Sequence, residues 1–331
     1  MNPNRSYNVC MATTTALTAK HIPQALMRYA WFVVGYNTLV ILWGAVVRAT
    51  GSGAGCGNHW PLCNGQVVPL SPRLDTVIEF THRCMTGGAT FVVLALLIWT
   101  FRATVKGQAA RAAAVISTIL LVNEAILGAL LVKLGYVTGN QSVGRVVMLS
   151  IHLSNTLLLL GALTLTAVLL KTGQMRHKLH LRGIRATWTL AGLAATIIVG
   201  VSGSLAALGD TLFPASSLRA AVAQDFSSGS PLLLRLRGVH PVSAIVAAFF
   251  VIWLVAQARR VGAGLLANAV LALLGIQFVL GVLDVLLLAP VWMQIFHLLG
   301  ADLYWVALVA LSAKLVWPLH GQRGDGSGIR L

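Results

Sequence analysis

Apolar residues in this chain are gathered into long blocks separated by short polar loops. The blocks lie near 30–48, 76–101, 112–134, 146–170, 186–207, 239–258, 263–288 and 291–313. Each is long enough to cross about 30 Å of hydrocarbon, which takes roughly 20 helical residues. The pattern therefore predicts an all-α, polytopic membrane protein with eight transmembrane helices. A weak internal repeat relates the two halves. Glu124-Ala125-Ile126-Leu127-Gly128 parallels Gln277-Phe278-Val279-Leu280-Gly281, Thr81-His82-Arg83 parallels Val239-His240-Pro241, and Ser150-Ile151-His152-Leu153 parallels Ile295-Phe296-His297-Leu298. An even number of spans separates equivalent elements, so both copies point the same way, as two pseudo-repeated four-helix bundles would. The division this implies is a cytoplasmic tail over 1–28, an N-terminal bundle over 29–172, a cytoplasmic linker over 173–185, a C-terminal bundle over 186–318 and a second tail over 319–331.

Composition agrees with that reading. The 331 residues are 57% hydrophobic and 10% charged, which excludes a water-soluble domain. A net charge of +16 in a soluble protein would point to nucleic acid. Here the basic residues fall in loops and set orientation instead, so no nucleic-acid partner is expected. Assigned to alternate sides, about 16 Lys and Arg fall on the side of the termini and about 8 on the other. Both termini are thus expected in the cytoplasm, in a multi-pass protein of the cell membrane, with the loop after the first span outside. Residues 1–28 lack the unbroken apolar core of a cleavable signal.

Four of nine histidines, His82, His152, His240 and His297, fall on the even-numbered spans, each within about two turns of the same membrane face. An intramembrane imidazole avoids lipid and seeks a partner, which for a single histidine is often a carbonyl or hydroxyl. Four at one depth, paired within each repeat, suit two six-coordinate haems, each held by an imidazole on either side of the ring. Zinc fits less well, because Leu, Val, Ile and Phe flank these positions and supply no further ligands. Arg83, Arg145, Arg235 and Arg237 lie where they could pair with haem propionates or simply snorkel to the interface.

Glu79 precedes His82 by three residues and shares its helix face. It either favours the positive end of the helix dipole or handles protons beside a redox centre. Glu124, Asp284 and Asp302 are further intramembrane acids with no assigned role. Cys56 and Cys63 share the loop after the first span; in an oxidising compartment they would form a structural disulfide or, as a sharper option, an exchanging one. A transporter reading finds no paired Pro or Gly interruption at matching mid-membrane positions.

Gly44-Ala45-Val46-Val47-Arg48-Ala49-Thr50-Gly51-Ser52-Gly53, the Cys56 to Cys63 loop with Trp60-Pro61-Leu62-Cys63-Asn64-Gly65, and Glu79-Phe80-Thr81-His82-Arg83 resemble the signature of the haem A synthase family. The resemblance implies an oxidoreductase that converts haem O to haem A, taking the C8 methyl to a formyl for terminal oxidases. It implies that His240 and His297 hold a resident haem b, that His82 and His152 bracket the substrate haem O, and that Glu79 is the catalytic acid. A haem O synthase and an electron donor are the implied partners. The chain departs from many family members in lacking a cysteine pair between spans 5 and 6, and Arg237 stands where a second Glu79 would. A di-haem, cytochrome b type electron carrier is the competing reading of the same histidines.

Overall fold

The computed structural model describes residues 22–70, 72–176, 179 and 181–317. The tails 1–21 and 319–331, with His21, His177, His180 and His320, lie outside the described residues. The helices are α1 (Gln24–Ala49), α2 (Leu74–Ala103), α3 (Ala109–Lys133), α4 (Val143–Thr172), α5 (Ile184–Leu212), the short α6 (Leu218–Phe226) and α7 (Leu232–Arg237), then α8 (Val239–Arg260), α9 (Gly264–Leu286) and α10 (Val291–Val316). Among the described residues, eight spans are long and apolar enough to cross a membrane, with α7 and α8 together forming the sixth.

Two boundaries differ from the sequence expectation. The first helix starts at Gln24, directly after Pro23, so residues 24–28 of the expected tail are helical. Leu26 and Ala30 in that turn are fully buried, and the Tyr29 hydroxyl donates to the Val92 carbonyl at 3.0 Å, so packing against α2 extends the helix beyond its apolar block. The sixth span likewise reaches back to Leu232, because Leu233 and Leu234 are buried and α7 continues into α8 across a one-residue turn at Gly238, although Arg235 and Arg237 interrupt the hydropathy.

Four helices, α1 to α4, adjoin one another in cyclic order, which puts α2 and α4 at opposite corners. The helices α5, α8, α9 and α10 follow the same order, with α8 and α10 opposed. The two sets meet through α4, α1, α5 and α10, and α4 is the most buried span. Trp305 of α10 donates its indole N–H to the Leu157 carbonyl of α4 at 2.8 Å, and Gly161 lies flat against the same ring. Hydroxyls inside the spans, such as Thr38, Ser117, Thr164 and Thr196, donate to the carbonyl four residues back, which satisfies them where water is missing. Large apolar side chains such as Phe32, Phe91 and Phe249 stay exposed on the outer surface of the spans, where lipid would cover them.

Candidate functional site

The loop between α1 and α2 is stapled by a disulfide between Cys56 and Cys63, as the sequence anticipates. It is also fastened to the first turns of α2. Gly55 lies so close to the backbone of Asp75 and Thr76 that a Cβ there would collide with the Asp75 carbonyl. The Thr76 hydroxyl and the Asn64 amide both donate to the Gly55 carbonyl, at 2.7 and 3.1 Å. Glu79 completes the attachment: the Cys56 amide donates to its Oε2 at 2.8 Å, and Arg83 donates to its Oε1 at 2.5 Å. Arg83 in turn donates to the carbonyls of His59 and Leu62. Glu79 is 3% exposed. Its carboxylate therefore has one oxygen bound to the disulfide loop and the other to Arg83 on its own helix, one turn before His82.

The four spanning histidines share a contact that spacing alone does not reveal. Each imidazole rests on a glycine of the preceding span, and in every case the nearest ring atom is Cε1. A Cβ built on Gly44 of α1 would lie 3.1 Å from His82, one on Gly128 of α3 3.8 Å from His152, one on Gly203 of α5 2.8 Å from His240, and one on Gly281 of α9 3.4 Å from His297. With the Cε1 corner towards a bare backbone, the two ring nitrogens lie on either side of the contact.

His240 and His297 face each other from opposite corners of their set, ring centres 6.2 Å apart and planes at 87°. A ring centre lies about 1.1 Å from its nitrogen and a metal–imidazole bond is about 2 Å. Two imidazoles sharing one ion therefore have centres about 6 Å apart, and this pair fits. The Nδ1 of His240 lies 3.2 Å from the Val199 carbonyl and 3.3 Å from the Ser202 hydroxyl. A carbonyl only accepts, so the proton sits on Nδ1 and the Nε2 lone pair is left for a metal. His82 and His152 stand on α2 and α4, at opposite corners of their set, and each lies against a glycine of the preceding span. The Nδ1 atoms of His82, His152 and His297 are buried without hydrogen-bond partners among the described residues. The spacing of His240 and His297, and the buried unpartnered Nδ1 atoms of His82, His152 and His297, fit haem held between imidazoles.

The arginines named from sequence are occupied by protein groups. Arg83 serves the loop, Arg145 donates to the Asn140 carbonyl at 2.7 Å, and Arg235 donates to the Ser228 carbonyl at 2.8 Å. Arg237 pairs with Asp210 at 3.1 Å and lies 3.4 Å from Asp225. Burial raises the Asp225 carboxyl from its ordinary value, against the pull of Arg237. Sequence reasoning assigned no role to Arg48 beyond its place in the signature stretch Gly44 to Gly53. Its guanidinium crosses between the two sets of helices, donating to the Ala207 carbonyl, the Thr211 hydroxyl and the Gln294 side-chain oxygen at 2.8, 3.0 and 2.8 Å. Gln294 lies one turn before His297. An arginine among apolar residues on the last turn of a span was the signal available.

These features describe a multi-pass membrane protein with paired intramembrane histidines on alternate spans and a disulfide-stapled loop above one pair. Residues 27–309 match the family described as cytochrome oxidase assembly protein, COX15-CtaA, and the chain belongs to that family. It is 44% identical over 295 residues to a Thermus thermophilus protein named protoheme IX farnesyltransferase, a match covering 87% of this chain and 48% of that protein. It is 33% identical over 177 residues to the heme A synthase of an Exiguobacterium species, covering 53% and 56% of the two chains. A third relative, the heme A synthase of Geobacillus kaustophilus, is 46% identical over 96 residues, or 29% of this chain and 30% of that one. The chain spans about half the length, or less, of these curated relatives.

Proposed function

We propose that the chain is a membrane oxidoreductase of the haem A synthase kind, converting haem O to haem A by oxidising the C8 methyl to a formyl for the assembly of terminal oxidases. The observation that carries this reading is the set of four glycine-seated imidazoles, carried on opposed helices of each half, within a chain of this family. His240 and His297 would hold a resident haem b, whose chemistry when bound is the relay of electrons. His82 and His152 would bracket the substrate haem in the half that also carries the disulfide loop, so the division into an N-terminal substrate half and a C-terminal haem b half follows. Both termini lie in the cytoplasm, with the Cys56–Cys63 loop on the opposite side, as the distribution of basic residues supports.

Glu79 is the proposed catalytic acid of the substrate half. Its hydrogen bonds to the Cys56 amide and Arg83 make the disulfide loop a cover whose seating depends on that same carboxylate. Proton movement at Glu79 and the fit of the loop over the substrate are thereby coupled. A haem O synthase would supply the substrate, and the Thermus relative carries the name of a protohaem farnesyltransferase. An electron donor would complete the cycle.

The test is expression in a host that makes haem O and no haem A, followed by chromatography of the extracted pigments. The reading predicts a formyl haem that disappears in Glu79→Gln while bound haem persists. Two bound haems with no modified pigment, in cells shown to contain haem O and a reductant, would instead assign the chain to di-haem electron carriers.

A further inference from the structure

The two histidine pairs differ in what stands behind them. On α3, the Glu124 carboxylate faces the turn of α4 that carries His152, with Oε1 3.5 Å from the histidine Nδ1. Its Oε2 accepts from the Asn155 amide at 2.6 Å, and its Oε1 accepts from the Thr156 hydroxyl. Asn155 uses its second N–H on the Leu120 carbonyl of α3 at 2.9 Å, which fixes the amide and so the carboxylate. Each carboxylate oxygen has one donor and a lone pair to spare. The nearby Nδ1 of His152 is buried without a hydrogen-bond partner as it stands. A shift of a few tenths of an ångström closes that gap.

The other pair lacks this arrangement. Gln277 occupies the corresponding place on α9. It abuts Gly300, which follows His297 by three residues as Asn155 follows His152. Its side-chain amide nitrogen is buried without a partner, as is the Nδ1 of His297. His240 has only a neutral carbonyl and a hydroxyl behind it.

We infer that Glu124 is a positioning residue for His152: its carboxylate accepts the Nδ1–H, holds the tautomer that presents Nε2 to iron, and makes this imidazole the strongest donor of the four. The inference rests on the reading above that His152 would help hold the substrate haem. Carboxylate backing of a metal-bound histidine fixes ring orientation and raises ligand basicity, and its removal commonly costs about 10- to 100-fold in affinity or activity. A stronger donor favours the ferric over the ferrous state. The two halves would then differ in electronic character through one pair of residues, Glu124 and Gln277.

The test uses the purified full chain loaded with both haems, read by spectroelectrochemical titration and by electron paramagnetic resonance of the ferric form. In Glu124→Gln the haem of the first pair should titrate at higher potential and bind about tenfold more weakly, with the second haem unmoved. The reciprocal Gln277→Glu should lower the potential of the second haem alone, and this arm decides the matter if Glu124→Gln does not fold. His152→Ala separates the two levels of inference. If it leaves haem content and spectra unchanged, the ligand reading fails. If it abolishes the first haem while Glu124→Gln and Gln277→Glu leave both potentials and resonance spectra as they were, the role given to Glu124 is overturned and the ligand reading stands.

Discussion

Replacing the histidine-facing glycines by alanine should affect haem binding in an order set by the space available, from a clear loss to no change. Ordinary contact between carbon atoms is about 3.5–4.0 Å. A Cβ on Gly203 would lie 2.8 Å from the His240 ring, and one on Gly44 3.1 Å from His82. The His240 ring would have to retreat by about 0.7 Å or more to restore contact. A free imidazole can swing aside, but one bound to iron and anchored through Nδ1 to Val199 cannot. Overpacking of this kind costs about 1–3 kcal/mol, and 1.4 kcal/mol is tenfold in affinity. Gly203→Ala should therefore reduce affinity at the second pair by about 10-fold or more, and Gly44→Ala should act similarly but less strongly on the first. Gly281→Ala, at 3.4 Å, should have a small effect, and Gly128→Ala, at 3.8 Å, none. Alanine also favours a helix over glycine by about 0.5–1 kcal/mol. That gain is common to the haem-bound and haem-free protein, so it raises thermal stability without restoring affinity. Haem titration of the apoprotein measures the affinities, with melting of the same samples as control. Four equal affinities, or a larger loss at Gly128 than at Gly203, would refute the seating of these rings on glycine.

Three further outcomes follow from the loop and the interface between the helix sets. Arg48→Met leaves the Ala207 carbonyl, Thr211 and Gln294 without their donor, and should cost about 2–3 kcal/mol in stability, with haem loss at the His240 and His297 pair preceding loss at the other; a melting midpoint equal to that of the unaltered protein would count against the bridge. Reducing the disulfide, or Cys56→Ser with Cys63→Ser, releases a short loop and should destabilise it by roughly 2–3 kcal/mol, seen as faster proteolysis between Gly57 and Asn64 with the spans intact. Glu79→Ala should expose the same loop even in the oxidised protein, because the Cys56 amide and Arg83 both lose their acceptor; unchanged protease resistance would separate Glu79 from the loop.

The spans were legible because a membrane imposes a single requirement, length times hydropathy, that a linear sequence displays directly. That the four histidines fall on alternate spans was legible for the same reason. What faces what across a bundle was not, since it depends on helix rotation. Nothing in the local sequence distinguishes Gly203, which carries His240, from Gly192, which packs against Leu254. Glu79 was identifiable as an unusual carboxylate at a helix start, but its bond to the Cys56 amide joins positions 23 residues apart and required the loop to fold back. Glu124 read as one intramembrane acid among three, and only the approach of α3 to α4 singles it out. Arg48 was hidden by its position at a span end, where snorkelling is the ordinary expectation.

An anomalous-scattering map at the iron edge, from crystals of the haem-loaded protein, would show whether these four imidazoles hold iron. It should show two iron atoms, one between the Nε2 atoms of His82 and His152 and the other between those of His240 and His297, at bonding distance from each. Iron lying away from these four nitrogens, or a pair of imidazoles in direct contact with no iron between them, would contradict it.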